Sequence, residues 1–156
     1  MTEIFLVRAF IFVVIVVSAV FHEYAHGWVA DRLGDPTARY AGRLTLNPIA
    51  HLDPFGTVLL PLLMLFTSGM FIGWAKPVPY NPYQLRDQRY GSLKVAFAGP
   101  GTNFLIALLL GILLRFSDIL SGPTLIPFLW FLGLVVYINI FLALFNLIPI
   151  PPLDGS

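Results

Sequence analysis

The chain reads as an all-α polytopic membrane protein, with three core transmembrane helices plus a re-entrant or hairpin apolar segment. Three observations predict this class. Of 156 residues, 58% are hydrophobic and only 11% are charged, and the mean hydropathy is +0.84, far from the composition of a soluble domain. The apolar residues are gathered into four stretches, 4–30, 55–72, 95–114 and 125–148, each near or above the ~20 residues that carry a helix across ~30 Å of hydrocarbon. The basic residues are unevenly shared: Arg32, Arg39, Arg43, Lys76, Arg86, Arg89 and Lys94 fall in the two long connectors, and only Arg115 falls in the short one. Residues 1–156 have room for a single domain.

The first stretch resembles a secretory signal in position. Glu3, however, leaves it no clearly positive n-region, and cleavage near Ser18-Ala19 would cut the helix, so it is read as a retained span. Gly34-Asp35-Pro36 is a helix stop, and Asn47-Pro48 and Asp53-Pro54 initiate turns. Between them, 38–46 is expected to pair as a short surface hairpin. Excess Lys and Arg place both long connectors on the cytoplasmic side. The second stretch, 55–72, must then enter and return on one face, bending at Pro61 or near Thr67-Ser68-Gly69. With three true crossings, the end of the first span and the end of the last meet on the same side.

Pro77, Pro79 and Pro82 make the second long connector an extended surface loop. In the third stretch, Gly99 and Gly101 are expected to let the helix pack closely on the first, with Asn103 bonding across the interface. The fourth is broken by Pro149, Pro151 and Pro152, and Gly155 permits a tight turn. Trp28, Trp74 and Trp130 suit the membrane interface.

Composition also excludes. A net charge of +1, with no basic patch carrying interleaved aromatics, argues against a nucleic-acid partner. The absence of cysteine rules out disulfides, thiolate ligands and a cysteine nucleophile, so any metal must be held by His, Asp or Glu.

The chemistry is concentrated in His22-Glu23-Tyr24-Ala25-His26. Histidines at i and i+4 project from one helix face and can grip one zinc ion, and the glutamate between them can reach a water that the ion activates. Burying these three side chains in a membrane without purpose would cost several kcal/mol, about the cost of intramembrane polar groups in general. A third ligand must come from elsewhere, and Asp154 in the proline-broken turn is the obvious donor; an ordinary helix-terminating turn is the other reading of that segment. His51 is left out of the metal site, as a loop histidine beside Asp53 more often makes local hydrogen bonds.

The chain resembles the site-2 protease family of intramembrane zinc metalloproteases. The resemblance rests on His22 to His26, on Ala98-Gly99-Pro100-Gly101-Thr102-Asn103, and on the segment from Asn146 to Gly155, in the family's order. It implies one Zn2+ held by His22, His26 and Asp154, with Glu23 as catalytic base. It also implies Asn146 as a substrate or oxyanion contact, for which a capping or interhelical hydrogen bond is the alternative. The implied activity is hydrolysis of a peptide bond within or near a transmembrane segment of a membrane-protein substrate. The expected setting is a bacterial inner membrane, with the site toward the cytoplasm. Ser156 stands where many relatives have a second glycine, and relatives continue beyond this point, so the domain is expected to be incomplete at its C-terminus. The unwound substrate is expected to pair along 149–153. Two rivals are another membrane-embedded zinc hydrolase and a non-catalytic metal-binding or transport protein; the second would not require Glu23.

Overall fold

Residues 2–26 contain neither glycine nor proline, so nothing interrupts the first helix before the histidines. In lipid, a run rich in β-branched residues still folds as a helix, because every backbone group must be satisfied within the segment. In a computed structural model, which describes residues 2–60, 63–64, 76–116, 125–151 and 153–156, α1 runs over Thr2–Arg32. It ends at the expected stop. Gly34 takes φ 109°, and the N–H groups of Gly34 and Asp35 reach back to the carbonyls of Asp31 and Ala30, the Schellman closure that a left-handed glycine allows.

The same device corrects one expectation. Instead of a hairpin, 38–46 opens with the one-turn helix α2, Thr37–Tyr40. The Asp35 carboxylate accepts from the Thr37 N–H and hydroxyl, which starts the turn. Gly42 at φ 65°, with Arg43 N–H donating to the Ala38 carbonyl, closes it. A second short helix, α3, spans Pro48–His51 and is capped by Asn47. It is followed by a π-helical turn over Pro54–Leu59, capped by Asp53. The re-entry expected over 55–72 lies mostly outside the described residues.

Helix α4, Gly91–Arg115, continues through Pro100, and α5, Ile126–Asn146, carries proline in its first turn, where the missing N–H costs nothing. Among the described residues there is no strand. Three helices, Leu6–Arg32, Gly91–Arg115 and Ile126–Asn146, are long and apolar enough to cross a membrane. α4 packs against both α1 and α5, which meet each other only locally. Large side chains such as Phe104, Leu108, Phe128 and Phe141 face outward, as lipid-facing residues do.

At the end of the bundle that carries the histidines, Ala30, Leu85 and Val95 form a small core with Val29 and Leu33 packed against it. Asp35, fully buried, accepts from the N–H of Asn81, and the Leu33 carbonyl accepts from Arg86 N–H. These bonds tie the proline-rich connector to the end of α1. Arg43 donates to the carbonyls of Ala50, Lys76 and Pro77, and Lys76 N–H donates to His51 O. The connector is thereby held across α1 rather than left free in solvent.

Candidate metal centre

His22 and His26 stand one turn apart on α1, both buried, with ring centroids 4.7 Å apart. Asp154 reaches them from the turn beyond α5. Its Oδ2 lies 2.8 Å from His22 Nε2 and 3.2 Å from His26 Nε2. The three donor atoms lie within 4.8 Å of one another, so residues 132 positions apart in sequence share one point. Burial opposes ionisation of the Asp154 carboxyl, but the two imidazoles beside it outweigh that and hold it below the usual carboxylate range. It is an anionic donor at neutral pH.

Where the substrate is expected to pair along 149–153, the described residues form turns. Ile150 N–H donates to Ile148 O, Leu153 N–H to Ile150 O, and Gly155 N–H to Asn146 O. Prolines remove the donors that would continue α5, and the chain folds back on the helix end instead. A Cβ at Gly155 would collide with the Leu147 backbone, so the fold-back needs glycine there.

The donor set fits a divalent cation. Two neutral imidazole nitrogens and one carboxylate oxygen are the ligand types such a centre uses, leaving a further position open. His26 Nδ1 lies 2.7 Å from the Val95 carbonyl oxygen, so Nδ1 carries the proton and Nε2 is left as the free lone pair. That Nε2 is buried and has no hydrogen-bond partner among the described residues. The space is kept open by α4: a Cβ at Gly99 would come within 2.5 Å of the Nε2 atoms of both histidines. Gly99 therefore faces the ligands themselves. Gly101 meets only Phe97 of its own helix, so the expected close packing on α1 belongs to Gly99 and not to Gly101. Asn103 is fully buried, yet neither side-chain atom has a partner among the described residues; the bond expected across the interface is not made by direct contact.

Glu23 lies beside this centre, with Oε2 accepting from Val78 N–H at 2.8 Å. Pro77 and Pro79 flank Val78, so it carries the one N–H in that triplet, and that N–H is spent on Glu23. This partner was missed in the sequence. Alternating prolines around a single donor were the available signal. Glu23, His26 and Asp154 line a cavity of about 540 Å³ together with Pro77, Val78, Leu93, Phe97 and Leu147.

Asn146 does not line that cavity. Its Nδ2 donates to the Leu142 carbonyl one turn back, at 2.9 Å. His51 is buried away from the donor group, with Nε2 2.7 Å from Thr45 O. Asp53, its expected partner, instead caps Phe55 and Gly56.

A family model described as Peptidase family M50 matches residues 10–121, which carry both histidines, Glu23 and Gly99. The chain belongs to peptidase family M50. This agrees with the resemblance to the site-2 proteases. Two relatives bear the name "Putative zinc metalloprotease": YwhC of Bacillus subtilis, 39% identical over 94% of this chain and 65% of its own length, and Rip2 of Mycolicibacterium smegmatis, 33% identical over 88% of this chain and 51% of its own. Zinc metalloprotease MJ0392 of Methanocaldococcus jannaschii is 28% identical over 95% of this chain and 32% of its own length. The chain thus spans two thirds or less of the length of these relatives. No solved structure matches it significantly.

Proposed function

We propose that this chain is the catalytic core of an intramembrane zinc endopeptidase that hydrolyses a peptide bond within or near a transmembrane segment of another membrane protein. The observation that carries the reading is the convergence of His22, His26 and Asp154 on one buried point, with Glu23 beside it on the wall of a cavity. Membership of family M50 and the names of the relatives support Zn2+ as the ion. Zinc, when bound, lowers the pKa of water toward neutrality and polarises a carbonyl.

The chain's own residues supply the rest. Glu23 accepts a proton from the attacking water as its oxygen bonds to the scissile carbonyl carbon, and delivers that proton to the nitrogen as the C–N bond breaks. Val78 N–H holds one oxygen of the carboxylate, leaving the other for the water. Leu93, Phe97 and Leu147 offer the substrate an apolar surface, which suits a lipid-soluble segment better than a polar peptide. In this reading Asn146 contacts the substrate carbonyl oxygen only after its amide leaves the Leu142 carbonyl. The basic residues of the long connectors support a site that faces the cytoplasmic side.

Glu23→Gln tests the reading. In detergent, with a model transmembrane substrate, this variant should retain zinc and lose cleavage by roughly 100-fold or more, the size of a general-base contribution. Undiminished cleavage would reject the role of Glu23.

A further inference from the structure

One turn deeper in the bundle than the histidines lies a second polar group that the hydrolytic reading does not use. Ser18, Asn103 and Asn139 are 4%, 0% and 1% exposed, each on a different helix. Asn139 Nδ2 donates to Ser18 Oγ at 3.0 Å and to the Val135 carbonyl at 2.9 Å. Its Oδ1 is buried and has no partner among the described residues, and the same holds for His22 Nδ1. A buried acceptor on α5 and a buried ring nitrogen on α1 are thus both unsatisfied, while Ser18 already links α1 to α5 through Asn139.

Their placement is not accidental. Ser18 precedes His22 by four residues on α1, so the two share a face, and a helical side chain leans back over the turn before it. Ser18 therefore belongs to the turn over which a side chain at position 22 leans. The Nε2–Cδ2 edge of the His22 ring faces Gly99, which puts Nδ1 on the side of the ring away from α4. When Nε2 binds a metal, Nδ1 must carry the proton, and ligating histidines almost always donate that proton to a neighbour. His26 has such a neighbour in the Val95 carbonyl. His22 has none of that kind.

We propose that Ser18 and Asn139 are positioning residues for His22, taking its Nδ1–H through one buried water and so fixing the ring with Nε2 toward the metal. Such a water would have His22 Nδ1, Ser18 Oγ and Asn139 Oδ1 as partners, within the two to four that an internal water requires. Asn103, with both side-chain atoms unpartnered, is a further polar group of the same layer. The proposal rests on the metal-centre reading above and adds a cause for the polar contact between α1 and α5, which apolar residues would pack without.

The test is zinc affinity of the full chain in detergent, measured by competition with a chelator, together with thermal unfolding of the zinc-stripped protein. Ser18→Ala and Asn139→Leu should each weaken zinc by roughly 10- to 100-fold, the usual cost of losing such a partner, and Ser18→Thr, which keeps the hydroxyl, should recover most of it. Phe10→Ala loosens the α1–α5 contact elsewhere, at the ring pair with Phe131, and should leave zinc affinity unchanged. Unchanged affinity in Ser18→Ala and Asn139→Leu, or an equal loss in Phe10→Ala, would overturn the proposal. His26→Ala separates the two levels. If it abolishes zinc binding while the Ser18 and Asn139 variants do not move it, only the positioning role fails; if it binds zinc like the parent, the metal centre itself is wrong.

Discussion

The two ends of the helix bundle are held together by different physics. At the end with the histidines, α1, α4 and the connectors are joined by directed bonds: Asp35 to Thr37 and Asn81, Leu33 to Arg86, Arg43 to three carbonyls, Glu23 to Val78, His26 to Val95. At the other end, contacts such as Phe10 against Phe131, with centroids 4.6 Å apart, are apolar and undirected. Lipid offers α-helices little net hydrophobic drive to associate, so that end depends on van der Waals fit. A site that must hold three donor atoms at one point cannot be built that way. It needs partners that fix angle as well as distance.

Substitutions at the two ends should therefore differ in kind. The largest effect is expected at Gly99→Val, whose side chain would occupy the space between the histidine nitrogens; zinc retention on a desalting column should fall to background, and a parent-like zinc content would break the comparison at its centre. Asp35→Ala should come next. It leaves the Asn81 and Thr37 N–H groups without their acceptor, and unfolding in a denaturing detergent titration should register a loss of roughly 2–3 kcal/mol, with zinc binding weakened as the connector loosens. The smallest effect belongs to Phe10→Ala, which gives up an aromatic pair worth about 1 kcal/mol. If the same titration ranked Phe10→Ala above Asp35→Ala, the contrast between directed and undirected ends would be wrong.

How much of this was legible in the sequence depended on the range of the interaction. His22, Glu23 and His26 could be read because helical periodicity sets their relation within five residues. Asp154 could be read as a donor because prolines and a glycine mark where α5 must stop. The stop at Gly34 was equally local. The turn at 37–40 was misread as part of a hairpin because the decisive bonds came from the Asp35 side chain and from Gly42, not from the alternation of the residues between them. Gly99 was recognised as a point of close approach, but what it approaches depends on the register between two helices, which no local pattern encodes. The lone N–H between Pro77 and Pro79 was visible as a donor, but that its acceptor is Glu23, 55 positions away, depends on the same long-range packing. Asn103 and Asn139 look alike in a list of polar residues, and only packing reveals that one reaches Ser18 while the other meets no partner among the described residues.

The separation between His22 and Asp154 carries a consequence for how the protein is made. The ribosome delivers α1 first, and the two histidines enter the bilayer long before the aspartate exists. The contact between them closes a 132-residue span, an entropically late event compared with any helix–helix contact nearer in sequence. During synthesis the nascent chain carries half a centre. It becomes whole only when the turn that carries Asp154 folds back onto α5, so the emergence of that turn acts as the arming step of assembly.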